Sequence, residues 1–359
     1  MSASPISWTA PGVRDGPDAG GAPLLVIDDL QVEFRTQAGV VPAVNGVSLH
    51  VDRGETLALV GESGAGKSVT ALAVMGLVEK PGRITAGTIM FDGTSLVGLD
   101  ERAYRRLRGG DLAMIFQDPL SSLNPAFRVG DQIAEALLLH SDLRKAEARR
   151  RAVELLELVG IPQPDERARS YPHQLSGGMR QRAMIAMAIA NRPSLLIADE
   201  PTTALDVTIQ AQVLDVLRDV QREADAAMLL ITHDLGIVAG VADRVAVMYA
   251  GRIVEEGSLD GVFTSPRHPY TVGLLGAVPR LDDPRGTPLR TIPGAPPNLL
   301  QLPAGCELAP RCPYVVDHCR AERPPLAGVP DESDVSGGAH RSACWRAVEL
   351  PRLVREASP

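Results

Sequence analysis

An α/β fold with a mixed sheet is what this sequence predicts, and three observations carry it. The apolar strand Thr56–Val60 runs straight into the glycine-rich GESGAGKS, after which TALAVMGLV has helical character. Between 176 and 250 helices and strands alternate, and the strands are continuously apolar, as in a largely parallel sheet covered on both faces. From 24 to 60, short β-prone runs separated by turns suit antiparallel strands.

Taken in order, residues 1–22 are rich in Pro, Gly, Ala and Ser. They lack a positive start followed by an apolar stretch, so they read as a loose tail and not a signal peptide. LLVIDDLQVEF, AVNGVSLHV and ETLALV are the early strands. The texture turns helical over roughly 118–176. In the stretch 143–160, Leu143, Ala146, Val153, Leu156 and Val159 fall near one face, with Gly160 as the stop. Arg149, Arg150 and Arg151 sit among Glu147, Glu154 and Glu157 and read as a solvated face rather than a basic patch. Then follow helix 177–191, strand 195–199, helix 207–224, strand 228–232, helix 235–241 and strand 244–249. Past 262 the prolines multiply, so 263–359 reads as a separate region poor in regular structure. No internal repeat is present, and 23–262 is therefore one domain and not two in tandem.

Of 359 residues, 45% are hydrophobic and 22% charged, ordinary values for a chain with a sizeable core. A net charge of −8 gives no support to nucleic-acid binding. No apolar run approaches the ~18 residues that span a bilayer, so work at a membrane requires other chains to hold this one.

The chemistry begins at 61–68, which fits the phosphate loop G-x-x-x-x-G-K-[ST]. Glycines let backbone N–H groups turn inward on phosphate oxygens, and the following helix adds its positive end. Lys67 can reach the β and γ phosphates, and Ser68 can ligate Mg²⁺. LLIADEP (195–201) brings Asp199 to a strand end, where it can hold the Mg²⁺ shell, and Glu200 to the position of a general base. Ser176-Gly177-Gly178 starts a helix with bare N–H groups, a second anion site on a one-nucleotide domain. Such a site makes sense if it serves another subunit's ATP. Gln117 and His233 end strands that gather at the same sheet edge.

This order of motifs, including Ala204-Leu205-Asp206, closely resembles the ATP-binding subunits of ABC transporters over roughly 24–260, whose core is a RecA-like P-loop fold. The resemblance implies that Gly61, Ser63, Gly64, Gly66, Lys67, Ser68 and Val69 surround the nucleotide phosphates. It implies Mg²⁺ at Ser68, Gln117 and Asp199, and γ-phosphate contacts from Gln117 and His233. Ser176, Gly177 and Gly178 complete a partner's site, and Asp206 couples the two sites. Phe34 falls where the family stacks an aromatic on adenine, with a plain core residue as the alternative. Met179 departs from the family's usual Gln but leaves Ser176 and both glycines in place.

FQDPLSSLNP (116–125), LSGGMRQR (175–182), HPYT (268–271), IPGAPPNL (292–299) and the cysteine stretch GCELAPRCPY resemble the oligopeptide/dipeptide importer branch. The resemblance implies two permease subunits, a second and related ATPase chain, an extracytoplasmic solute-binding protein, and a place at the cytoplasmic face of the membrane. A ribosome-acting or DNA-repair ATPase of this superfamily would need tandem motors or long coiled-coil insertions. A nucleotide-binding redox sensor would not need Glu200 and His233.

The four cysteines, Cys306, Cys312, Cys319 and Cys344, are separated by five, six and twenty-four residues, which is not the usual structural-zinc spacing. Four thiolates suit a [4Fe–4S] cluster, with zinc as one alternative and free thiols as another.

Overall fold

A computed structural model describes residues 21–118, 122–203, 205–278, 292–329 and 340–357. Most of the expected tail, part of FQDPLSSLNP, Ala204 and several C-terminal prolines lie outside them. The early strands β1 (Leu25–Thr36) and β2 (Gly39–Val51) pair antiparallel, as expected, while β3 (Thr56–Val60) leaves for a second sheet. Two strands that the sequence reading did not anticipate, β4 (Gly82–Phe91) and β5 (Thr94–Ser95), complete a four-stranded sheet in the order β2-β1-β4-β5.

The second sheet contains β6 (Leu112–Ile115), β7 (Leu195–Asp199), β8 (Ala227–Thr232), β9 (Arg244–Tyr249), β10 (Arg252–Ser258), β11 (Ala327–Gly328) and β12 (Arg341–Ser342) together with β3. Its order is β11-β12-β10-β9-β3-β8-β7-β6. The five strands from β9 to β6 are parallel, and β10, β12 and β11 add an antiparallel edge. Alternate residues enter different cores. Leu57, Leu59, Leu229 and Ile231 face the antiparallel sheet and α1 (Lys67–Val74), whereas Met228, Leu230, Leu196 and Ala198 face helices. Both faces are thus buried, the condition that makes these strands uninterruptedly apolar.

After α2 (Glu101–Leu107) the helical segment is built from α3 (Val129–His140), α4 (Lys145–Leu158) and the short α5 (Pro164–Arg167). The buried stripe of α4 keeps Leu156 and Val159 of the expected one but adds Ala148, Ala152 and Leu155, while Leu143 and Ala146 are exposed. A row at i, i+4, i+7 and i+11 follows the helical period more closely, and its small residues let α3 approach. Arg149 and Arg150 are exposed, and Arg151 pairs with Glu154 at 2.8 Å, as a solvated face requires. The remaining α-helices among the described residues are α6 (Gly177–Ala188), α7 (Val207–Ala224), α8 (Leu235–Val238), α9 (Leu259–Thr264), α10 (Pro269–Gly276), α11 (Asp317–Ala321) and α12 (Leu350–Ala357). The helix expected over 177–191 ends at Ala188, and the one expected over 235–241 ends at Val238.

The C-terminal region is poor in regular structure, but it is joined to the sheet rather than standing apart. The buried carboxylate of Glu255 on β10 accepts the backbone N–H of Arg267 at 2.5 Å and of His268 at 3.0 Å, and lies 2.7 Å from His340 Nε2. His268 is wholly buried, and burial lowers its pKa to about 3, so its neutral Nδ1 can accept the Tyr270 N–H at the start of α10. Removing one carboxylate would therefore orphan two buried N–H groups and leave a void. Glu255→Ala should destabilise the chain by about 3–5 kcal/mol. The urea midpoint of the full chain measures this, and an unchanged midpoint would show the carboxylate to be dispensable.

Candidate functional site

Parallel pairing sets Ile115 beside Ala198, Asp199 beside Ile231, and Val60 beside Thr232. The chain therefore leaves β6, β7, β8 and β3 at one common edge. Between β3 and α1 it forms a tight loop over 61–66. A Cβ on Gly61 would stand 2.2 Å from the Met248 carbonyl oxygen, and one on Gly66 2.3 Å from that of Ala43. Gly66 also has φ 108°, which disfavours any side chain. At the apex Ser63 and Gly64 are exposed, and a Cβ on Gly64 (φ 79°) would meet nothing within 4 Å. The loop is pinned at its flanks and open at its tip.

Lys67 begins α1 and is buried, its Nζ donating to the carbonyls of Gly61 (2.7 Å) and Glu62 (3.0 Å). Burial lowers its pKa, and the negative charges of Glu200, Asp199 and Glu62 oppose that shift. Ser68 Oγ donates to Asp199 Oδ1 at 3.0 Å, joining the loop to the end of β7. Burial raises the Asp199 pKa against the Ser68 hydrogen bond. These two oxygens, with open space at the loop apex, fit a Mg²⁺–nucleotide: hard oxygen donors for the ion and a cationic amine for phosphate.

Glu200 follows Asp199 with φ 47°, the left-handed region that a non-glycine residue enters only at a cost of about 1 kcal/mol. The turn aims its carboxylate back across the edge. Oε2 accepts from Gln117 Nε2 (2.9 Å) and Thr203 Oγ1 (2.8 Å), and Oε1 lies 3.2 Å from His233 Nδ1. Burial pushes this carboxyl up, but the hydrogen bonds from Thr203 and His233 and the charge of Lys67 outweigh it, holding it below its ordinary value. Three strand ends thus deliver Gln117, Glu200 and His233 to one carboxylate. Thr203 escaped the sequence reading, although its place three residues after Glu200 is the signal that could have found it.

Other expected residues stand apart from this group. Ser176 caps α6, its Oγ accepting the Met179 N–H at 3.3 Å, and Asp206 caps α7 by accepting from Ile209 at 3.0 Å. Ser176 and Gly177 are exposed, and among the described residues no hydrogen bond joins 176–178 to the phosphate loop. Gly178 has a local reason: a Cβ there would meet Ile209 of α7 at 2.8 Å. Phe34 is half-buried on β1, its ring against Gly82, and Val69 is half-buried on α1.

All four cysteines line one cavity in the C-terminal region, with Leu308 and Pro324 among the other walls. Burial raises the Cys312 thiol pKa, that of Cys306 to about 11 and that of Cys344 to about 12. Among the described residues, however, no three His, Cys, Asp or Glu side chains are gathered closely enough to hold a metal ion. No described helix is long and apolar enough to cross a membrane.

Against known proteins, residues 44–203 match the ABC transporter family and 254–319 match the oligopeptide/dipeptide transporter C-terminal region. The chain is 53% identical over 339 residues to a putative peptide import ATP-binding protein of Brucella abortus, covering 91% of this chain and 98% of that protein. It is 52% identical over 347 residues to the oligopeptide transport ATP-binding protein OppD of Mycobacterium tuberculosis, covering 94% of this chain but only 55% of that longer protein. An ATP-binding cassette solved as a dimer with ADP and Pi aligns with a TM-score of 0.60 at 25% identity, over 66% of this chain and 98% of its own. The order of strand ends, the phosphate loop and these matches agree: the chain belongs to the ATP-binding proteins of the ABC transporter family, in the group that carries the oligopeptide/dipeptide C-terminal region.

Proposed function

We propose that this chain is the ATP-hydrolysing motor of an ABC importer for di- or oligopeptides. It would work head-to-tail with a second ATPase chain at the cytoplasmic face of the membrane, beneath two permease subunits fed by a solute-binding protein. In this reading 23–262 is the motor domain, 118–176 its helical subdomain, and 263–359 the C-terminal region. The observation that carries it is Glu200, strained in backbone and held by Gln117, Thr203 and His233 one residue beyond the Ser68–Asp199 pair.

On binding ATP, Lys67 would exchange the Gly61 and Glu62 carbonyls for β and γ phosphate oxygens, a stronger partner for a desolvated ammonium. Mg²⁺, when bound, neutralises developing charge on the phosphates. Ser68 and Asp199 would hold it, with Gln117 nearby. Glu200 stays ionised at neutral pH, so it orients and polarises the attacking water, while His233 meets the γ-phosphate. Phe34 is the candidate adenine contact. Glu200→Gln keeps the shape but removes the basic oxygen, so turnover in the assembled transporter should fall about 10²-fold or more while ATP still binds. Near wild-type hydrolysis would remove Glu200 from the role of base.

Ser176 and Gly177 are exposed and, among the described residues, make no hydrogen bond to their own phosphate loop, which supports a site completed by a partner, with Asp206 at the junction. ATPase activity of the isolated chain should be low and should rise steeply with added second motor chain and permeases. Full activity independent of concentration would refute the shared site.

For the four cysteines we propose a structural [4Fe–4S] cluster. Its support is their convergence on one cavity in a region with little regular structure to stabilise it. A cluster spreads its thiolates wider than one zinc ion with bonds of about 2.3 Å, so it tolerates sulfurs not drawn together at a point. Anaerobically purified protein should be brown, contain iron and labile sulfide, and lose both on substitution of any one cysteine by serine. Colourless protein with stoichiometric zinc would favour that ion instead.

A further inference from the structure

Three stretches that mark the C-terminal region in the sequence, HPYT, IPGAPPNL and the arginine before Cys312, have no part in the ATP chemistry described above. In the structure the first and last of them reach one residue of the phosphate loop, Glu62, and IPGAPPNL backs Arg311. His268 and Pro269 start α10 so that the buried Tyr270 points at the loop, and its hydroxyl oxygen accepts the Glu62 N–H at 2.7 Å. The Glu62 carboxylate is gripped by Arg311, with Nη1 to Oε2 at 2.8 Å and Nη2 to Oε1 at 3.0 Å. Arg311 is buried and is itself aimed from behind: its Nε donates to the Pro293 carbonyl at 2.8 Å, and its guanidinium lies 5.9 Å from the centre of the Tyr249 ring. Tyr249 packs on Tyr270 at 4.5 Å between ring centres, closing the block.

Glu62 thus has its N–H and its carboxylate engaged from outside the loop, while its carbonyl faces inward and accepts from Lys67. We propose that Tyr270 and Arg311 are positioning residues for the phosphate loop: the C-terminal region clamps Glu62 and thereby presets the loop, and Lys67 with it, for nucleotide phosphates. The physical case is preorganisation. A loop with four glycine or serine positions from Gly61 to Gly66 has much freedom to lose, and a bidentate, part-buried Arg–carboxylate pair fixes both distance and orientation. Because Arg311 adjoins Cys312, the clamp also ties the integrity of the cysteine region to ATP affinity through covalent neighbours.

The inference rests on reading 61–68 as the phosphate loop, and the test separates the two. Titrating the full chain with Mg–ATP, Tyr270→Phe, Arg311→Gln and Glu62→Gln should each weaken binding by roughly three- to tenfold, the effect of losing one or two charge-linked hydrogen bonds of which only part reaches the ligand. The double substitution Glu62→Gln/Arg311→Gln should be no worse than either single one. Arg311→Lys should recover part of the affinity. Tyr270→Phe should also speed deuterium exchange at loop amides beyond Glu62, whereas loss of that single hydrogen bond without any presetting of the loop would speed only the Glu62 amide. Should Arg311→Gln fail to fold, Tyr270→Phe and Glu62→Gln decide. Unchanged affinity and exchange in both would overturn the clamp. If Lys67→Ala abolishes binding in that case, the phosphate-loop reading stands and the clamp alone is lost. Unchanged affinity in Lys67→Ala would instead sink the reading beneath it.

Discussion

Parallel pairing of β6, β7, β8 and β3 ends four strands at one edge, and Lys67, Ser68, Gln117, Asp199, Glu200 and His233 gather there. The register is held by burial on both faces. Leu229 and Ile231 enter one core while Met228 and Leu230 enter another, so a slip of one residue would exchange the two sets. The same packing brings Met248 and Ala43 so close to the loop that only glycine passes at 61 and 66. Loop shape is therefore imposed by neighbouring strands as much as by its own composition.

Charges crowd that edge at the cost of their solvation. Lys67, Asp199 and Glu200 each lose water, and each is compensated differently. Lys67 leans on loop carbonyls and nearby carboxylates, Asp199 on the Ser68 hydroxyl, and Glu200 on Thr203 in its own turn and on Gln117 and His233 from two neighbouring strand ends. The outcome separates the two adjacent carboxylates, with Asp199 raised and Glu200 lowered. Neighbours in sequence thus acquire different electrostatic characters because one ends a buried strand and the other turns out of it. The proposed division of labour, metal holding by Asp199 and water orientation by Glu200, would rest on that turn.

The C-terminal region shows how a stretch with little secondary structure becomes part of a rigid core. Its two short strands extend the sheet past β10, Glu255 bonds its backbone, and Tyr270, Leu308, Cys306 and Cys312 pack with Tyr249 and Val247 in one cluster. Polar anchoring of this kind is costly unless every group is paired, and here the Glu255 and Arg311 groups are. The region is thus poised against the nucleotide edge rather than trailing from it.

Much of this was legible in the residues alone. The phosphate loop, the Asp199–Glu200 pair, the starts of α6 and α7 and the apolar strands are local: each depends on a strand, turn and helix adjacent in sequence, where glycine placement and apolar runs suffice. The face of α4 was misjudged because its stripe is set by what α3 and α6 offer, and alanines mark it as well as leucines do. The strands β4 and β5 went unseen because half-exposed antiparallel strands leave a weak pattern. The grip of Thr203 on Glu200 is hinted at by their three-residue spacing, but its geometry comes from the left-handed turn at Glu200. The meeting of Arg311 with Glu62 spans 249 residues and has no local signature at all. Sequence by itself determined which chemistry this protein carries, since local propensity and motif spacing encode it. Only the tertiary structure decided how the C-terminal region bears on that chemistry, because long-range ion pairs and buried hydrogen bonds exist only once packing has brought their partners within reach.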